Sequence, residues 1–174
     1  MKSRPYRFSW DFIGDVEDGR LNLGNSTRIE VYRLFQYTLR DVLEARYGTE
    51  ESDRILYEAG YLAGKNFCEK FVGPRESFDD FVGAVQHALL ELKVGILRME
   101  SEDRENARFT LTVSEDLDCS GLPDMEHSVC TYDEGFIAGI FKVFSGQDFA
   151  VKEIDCWCTG DRTCRFEVKP KGAV

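Results

Sequence analysis

Five of the six cysteines in this 174-residue chain fall between Cys119 and Cys164. No other feature restricts what the chain can fold into so strongly. The densest stretch is Glu153-Ile-Asp-Cys156-Trp-Cys158-Thr-Gly-Asp-Arg-Thr-Cys164-Arg-Phe166. Here apolar-aromatic runs flank the turn Thr159-Gly160-Asp161, and thiols stand at both of its rims. Upstream, Cys119 and Cys130 bracket a Gly-Leu-Pro loop. The first residues lack the long apolar core and small-residue cleavage site of a signal peptide. No apolar run approaches the ~20 residues of a bilayer span. The expected compartment is therefore the cytoplasm, with no membrane partner. In a reducing compartment clustered thiols read as metal ligands or redox groups rather than structural disulfides.

A structural zinc takes four ligands in a tetrahedron, mostly thiolates with an occasional histidine or carboxylate. Cys156 and Cys164 occupy the two ends of a hairpin turn and can face one point. Cys130 falls near a helix N-terminus, where the dipole favours a thiolate. Glu153 is a hard fourth candidate. In a regular strand, however, Glu153 and Cys156 point to opposite faces, so both can reach one ion only across a bulge. Without a bulge, Cys119 is the stronger fourth ligand. Cys158 shares parity with Cys156 and reads as a ligand or as packing, and Cys68, in an apolar helix, reads as core. Reduced core cysteines, and a redox pair or iron–sulfur centre, remain rival readings. The absence of C-x-x-C weakens the redox one.

The formal net charge of -10 is spread along the chain. With no basic stripe, direct nucleic-acid binding is not expected, because a phosphate backbone demands a cationic face.

Residues 1–25 form an aromatic arm whose alternation Tyr6, Phe8, Trp10, Phe12 predicts a strand or an extended segment. Residues 26–170 form a single domain. A helix is predicted from Ser26 or Thr27, with Val31, Phe35, Leu39, Val42 and Leu43 recurring at helical spacing and Gly48 as its stop. The next helix starts at Thr49 or Ser52 with Leu56, Ala59, Ala63 and Phe67 on one face. Its pairs Ala59/Ala63 and Gly60/Gly64 permit a close neighbour. Ser77 caps a third helix, with Phe78, Phe81, Val85, Ala88, Leu89 and Leu92 inward. Strands follow over 94–99 and 108–113, a helix over 130–144, then a hairpin of 149–157 and 163–168. Helices first and antiparallel strands later make an α+β fold, an antiparallel sheet packed with helices behind a helical N-terminal half.

Three motifs, Glu115-x3-Cys119-Ser-Gly-Leu-Pro123, Cys130-x3-Glu134-Gly-Phe-x2-Gly139 and Glu153-x2-Cys156-x3-Gly160-Asp-x2-Cys164-x-Phe166, resemble those of the vinyl-reductase-like (4-vinyl reductase) domain family. The resemblance covers residues 94–168. Members occur in a bacteriochlorophyll vinyl-reductase protein and as sensory modules of aromatic-responsive transcription activators. It implies the ligand-binding fold shared by haem nitric-oxide sensors and Golgi transport-particle subunits, often dimeric. It also implies a zinc at the positions of Cys130, Glu153, Cys156 and Cys164, beside a closed apolar pocket. Unlike the activators, this chain shows no ATPase module, no helix-turn-helix and no matching pocket histidine and tryptophan, so phenol specificity does not carry over.

The function so implied is a zinc-stabilised domain that binds a small hydrophobic or aromatic molecule, acts as a homodimer and signals through a protein partner. Phe35, Leu39, Leu89, Leu92, Phe109, Leu111 and Phe136 are the candidate pocket lining. The alternatives are a reductase or accessory factor in tetrapyrrole metabolism, against which no dinucleotide-binding glycine motif is present, and a dimeric scaffold.

Overall fold

A computed structural model describes residues 6–125 and 127–172. The chain divides into two compact units, Met1–Thr38 and Leu39–Val174.

In the first unit the second half of the aromatic entry is helical, while residues 6–9 form neither helix nor strand. A 3-10 turn, Trp10–Ile13, closes at Gly14, whose φ of 73° suits only glycine readily. Helix α1, Val16–Gly19, follows because the Asp15 side chain accepts a hydrogen bond from the Asp18 N–H at 3.0 Å. These two local devices override the period-two alternation. The Tyr6 and Phe12 rings lie 5.0 Å apart.

Helix α2, Ile29–Tyr47, spans the boundary between the units and stops at Gly48, where φ is 78°. The apolar residues that recur along it are not its buried face. Val31, Phe35, Leu39 and Val42 are exposed, Leu43 is half-buried, and the helix's one buried residue is Arg40. Its guanidinium pairs with Glu44 at 2.8 Å and Asp53 at 2.6 Å.

The second unit holds helix α3, Thr49–Phe67, which runs into a π-helical turn, Cys68–Val72, ended by Gly73 at φ 68°. Helix α4, Phe78–Glu91, starts where the Ser77 hydroxyl accepts from the Asp80 N–H at 3.1 Å. Strands β1, Ile96–Asp103, and β2, Arg108–Ser114, come next. Helix α5, Thr131–Ser145, then leads into β3, Phe149–Asp155, and β4, Cys164–Pro170. The four strands form one antiparallel sheet in the order β1-β2-β4-β3. The final hairpin thus inserts β4 beside β2, and the architecture is the α+β arrangement that the order of elements predicts.

Helix α4 meets the sheet at β1 and α5 meets it at β3, while α3 packs on α5. That last contact depends on glycines from both sides. A Cβ at Gly60 or Gly64 would come within 2.0 Å of the Tyr132 or Phe136 carbonyl oxygen. One at Gly135 or Gly139 would come within 2.1 or 2.3 Å of the Tyr57 or Tyr61 carbonyl oxygen. The buried face of α3 is accordingly Ser52, Leu56, Gly60, Gly64 and Phe67, which leaves Ala59 exposed and Ala63 half-buried. Four mid-helix glycines disfavour the helices by roughly 1 kcal/mol each. Backbone-to-backbone dispersion along the contact offsets that cost.

Beneath α4, aromatic rings fill the space: Phe81 stacks on Phe144 at 4.2 Å and Phe78 on Phe109 at 4.9 Å. No described helix is long and apolar enough to cross a membrane.

Candidate metal centre

The segments that carry Cys119, Cys130, Cys156 and Cys164 reach one place by four local devices. The Oδ1 atom of Asp116 accepts the N–H groups of Asp118 (2.8 Å) and Cys119 (3.0 Å), folding the loop after β2 so that Cys119 turns inward. Cys130 is the N-cap of α5. Cys156 opens a 3-10 turn, Trp157–Thr159, in which its N–H donates to the Thr159 hydroxyl at 3.3 Å. Gly160, at φ 100°, then reverses the chain so that β4 starts at Cys164. Trp157 ties the two loops together, since its indole N–H donates to the Leu122 carbonyl at 3.1 Å.

The result is a buried set of four thiols whose sulfurs all lie within 4.8 Å of one another. Each of the four residues is at most 1% exposed, and all are free thiols. The Cys130 sulfur is 3.7 Å from that of Cys156 and 3.9 Å from that of Cys164. Thiolates at about 2.3 Å from a tetrahedral ion stand about 3.8 Å apart, so these two spacings match a metal site, while the Cys119–Cys164 pair would have to open to hold one. Cys119 and Cys164 are closer, at 3.0 Å, but well beyond the bond length of a disulfide.

Protonation alone serves the cluster poorly. Hydrogen bonds from Cys119, Cys130 and Cys164 pull the Cys156 thiol's pKa down, and those that Cys130 makes with Cys119, Cys156 and Cys164 push its own up. A cation would serve all four at once, and the cluster can hold a metal ion.

Glu153 lies beside this set. The register of β3 against β4 shifts between Glu153 and Asp155, the bulge that would let Glu153 and Cys156 share a face. The residue is 6% exposed. Its Oε2 accepts from the Ser128 hydroxyl, while Oε1 is buried without a hydrogen-bond partner. Burial pushes its pKa up to about 7, against the opposing pull of the Ser128 hydroxyl. An orphaned carboxylate oxygen next to four thiols is what an ion nearby would satisfy.

Two further acids hold the frame. Glu134, on the first turn of α5, accepts from the Glu153 N–H and from Lys152, both at 2.9 Å, and so pins the bulge to the helix. Burial and the charge of Asp118 push Asp116 up to about 7. Glu134 stands in one of the quoted motifs, but its bracing role has no signature in spacing. Asp116 and Ser128 carry no signal beyond their place between cysteines. Cys158 is buried beside the cluster without belonging to the four, and burial pushes its thiol up to about 12. Cys68 is core, with burial raising its thiol to about 11.

Residues 109–170 match the V4R domain. The matched segment runs from β2 through the closing hairpin and carries every thiol of the cluster. The fold is similar to that of three solved structures. One is the phenol-responsive sensory domain of the transcription activator PoxR with phenol (TM-score 0.63, 18% identity, 76% of this chain and 71% of that one). A vinyl-4-reductase family protein from Methanocaldococcus jannaschii is similar over nearly the whole of both chains (TM-score 0.61, 17% identity, 97% and 99%). A trafficking protein particle complex subunit 3 from Naegleria fowleri, covalently bound to palmitic acid, is the third (TM-score 0.67, 13% identity, 84% and 96%).

Of the residues read from sequence as pocket lining, Leu89 is buried on α4 and Leu111 on β2, and Phe109 stacks on Phe78. Phe136 lies 5.1 Å from Phe67. Phe35, Leu39 and Leu92 are exposed. Between α4, α5 and the sheet lies an apolar cavity of only about 20 Å³, walled by Phe81, Val85, Leu97, Met99, Leu111 and Ile140. Its walls include residues the sequence offered only as helix core. A wider cleft of about 410 Å³ opens at the corner of α4 and α5, against Cys68, Phe81, Val143 and Phe144.

Proposed function

We propose that this chain is a zinc-stabilised domain of the V4R type that binds a small hydrophobic or aromatic molecule and passes the event to a protein partner. The observation that carries the reading is the convergence of four buried thiols, beside an orphaned Glu153 oxygen, on the same hairpin that closes the sheet under α4 and α5. Cys130, Cys156 and Cys164 would hold the zinc. Cys119 would complete the tetrahedron, since its sulfur lies within 4.8 Å of the other three and Glu153 is not part of that mutually close set. The zinc would supply a fixed charge and a covalent-strength clamp between loop, helix and hairpin; four thiolates leave no open position for a substrate.

The ligand's place would be the apolar layer beneath α4. Its cavity of about 20 Å³ is too small for a benzene ring, so occupancy requires α4 to move on the sheet. The π-helical turn at Cys68–Val72 and the glycine at φ 68° that follows it are where such motion would be absorbed. The ligand then stabilises the displaced position of α4, and that displacement is the signal. The phenol-responsive neighbour supports an aromatic ligand class. The exposed apolar side of α2 supports a second copy of the chain as its partner, and the expected setting is cytoplasmic.

Two measurements on the reduced, freshly purified chain test this. Elemental analysis is expected to find zinc bound. Thermal melts with phenol and with a panel of alkylated and polycyclic aromatics are expected to show a saturable rise in Tm for at least one. No rise with any of them, and no co-purifying small molecule by native mass spectrometry, would overturn the sensory reading.

A further inference from the structure

Next to the four thiols stands a second group of donors. Asp116, Cys130 and Asp133 each offer one ligand atom, and the three atoms lie within 4.8 Å of one another. Asp116 is 5% exposed, and the Asp118 side chain beside it is 3% exposed. Asp133 sits on the first turn of α5, and its Oδ2 is sealed from solvent with no hydrogen-bond partner among the described residues.

Helix capping does not account for this arrangement. A first-turn aspartate serves its helix best with both oxygens in water or on backbone N–H groups, whereas here one is buried and unmatched. Nor does packing, because a buried carboxylate without a partner is strongly disfavoured. The negative charges of Asp116 and Asp118 bear directly on Asp133, and four thiolates around one divalent ion would still leave two negative charges uncompensated. A second cation resolves all three difficulties.

We propose that Asp116, Cys130 and Asp133 hold a second divalent ion, joined to the first through the Cys130 sulfur. The inference rests on the reading of the four thiols as a metal centre. Two carboxylate oxygens with one thiolate suit a borderline ion such as zinc rather than calcium or magnesium, whose shells are built of oxygen. A shared thiolate places the two ions side by side, and the second cation offsets charge that the first cannot. Asp118 completes the anionic wall. Asp116 keeps its Oδ1 on the two backbone N–H groups that shape the loop, so the site is anchored before the ion arrives.

The test is a stoichiometry. The chain is stripped with chelator under reducing conditions and titrated with zinc, and the bound ions are counted by native mass spectrometry and elemental analysis. The wild-type chain is expected to take two. The double variant Asp116→Asn, Asp133→Asn is expected to take one. Titrated with cobalt(II), it should keep the thiolate-to-cobalt absorption of the four-sulfur site. Should the double variant fold poorly, Asp133→Asn alone leaves the Asp116 loop intact and is expected to give the same count. Saturation of the wild type at one ion would overturn this proposal and leave the four-thiol centre standing. Failure to bind any ion would overturn both. A second ion that survives both substitutions is adventitious and equally overturns the site.

Discussion

At the scale of single residues, the bulge between Glu153 and Asp155 governs what the centre can be. It sets Glu153 next to the thiols without making it one of the four mutually closest donors. Replacing Cys156 or Cys164 by alanine is therefore expected to abolish zinc binding and cost several kcal/mol of stability, as loss of a structural zinc does. Glu153→Gln is expected to retain the ion; metal content and thermal melts of the three variants decide between them. The buried acids add a pH dependence. In the metal-free chain Glu153 and Asp116 both titrate near 7, above their unfolded values, so the folded state binds more protons than the unfolded one between about pH 4 and 7. Stability of the chelated protein is accordingly expected to fall as pH rises through that window, as urea denaturation at pH 5 and pH 8 will show. The metal-loaded protein should show the opposite trend, because its ligands must lose protons to bind. The thiols were legible in the sequence because cysteine is rare and these stand at chain breaks. Asp116 and Ser128 were not, because among 32 acidic residues only burial distinguishes the ones that matter.

At the scale of elements, the glycine-on-glycine contact between α3 and α5 fixes the position of Cys130. Tyr132 and Phe136 lie on the turns of α5 that follow it, and their backbone meets Gly60 and Gly64 directly. Gly64→Ala gains helix propensity but forces the helices apart. It is expected to destabilise by about 3 kcal/mol and to weaken metal affinity, whereas Gly83→Ala, with nothing near its added methyl, should be neutral or mildly stabilising. Denaturation curves of the two variants provide the comparison. The pair Gly60/Gly64 announced a close neighbour in the sequence, and most helix starts and stops were readable from caps and glycines. The buried face of α3 was misjudged by one position because apolarity pointed to Ala59 and Ala63. The tightest face is the one with the least side chain. The aromatic entry misled for a different reason: its alternation is real, but Gly14 and the Asp15 cap act locally and prevail over it.

Over the whole molecule, the unburied side of α2 is what the sequence could not anticipate. Helical periodicity says that a face is apolar and is silent about what covers it. Leu34 and Phe35 are each 67% exposed. If a second copy of the chain covers them, Phe35→Asp is expected to convert a dimer into a monomer in sedimentation experiments while leaving metal content unchanged. A wild type that sediments as a monomer would refute the dimer.

The order in which the centre's donors occur along the chain also shapes how the protein is made. Cys119, Cys130, Cys156 and Cys164 bracket α5 and the closing hairpin, and the last of them is translated after all five helices. On the ribosome the helical part can form first, with the sulfurs exposed to oxidants until β4 arrives. Without the proposed zinc, newly made copies would stall at this late stage, helical but unsealed. The supply of the ion would then set how many chains mature, before the proposed ligand can bind.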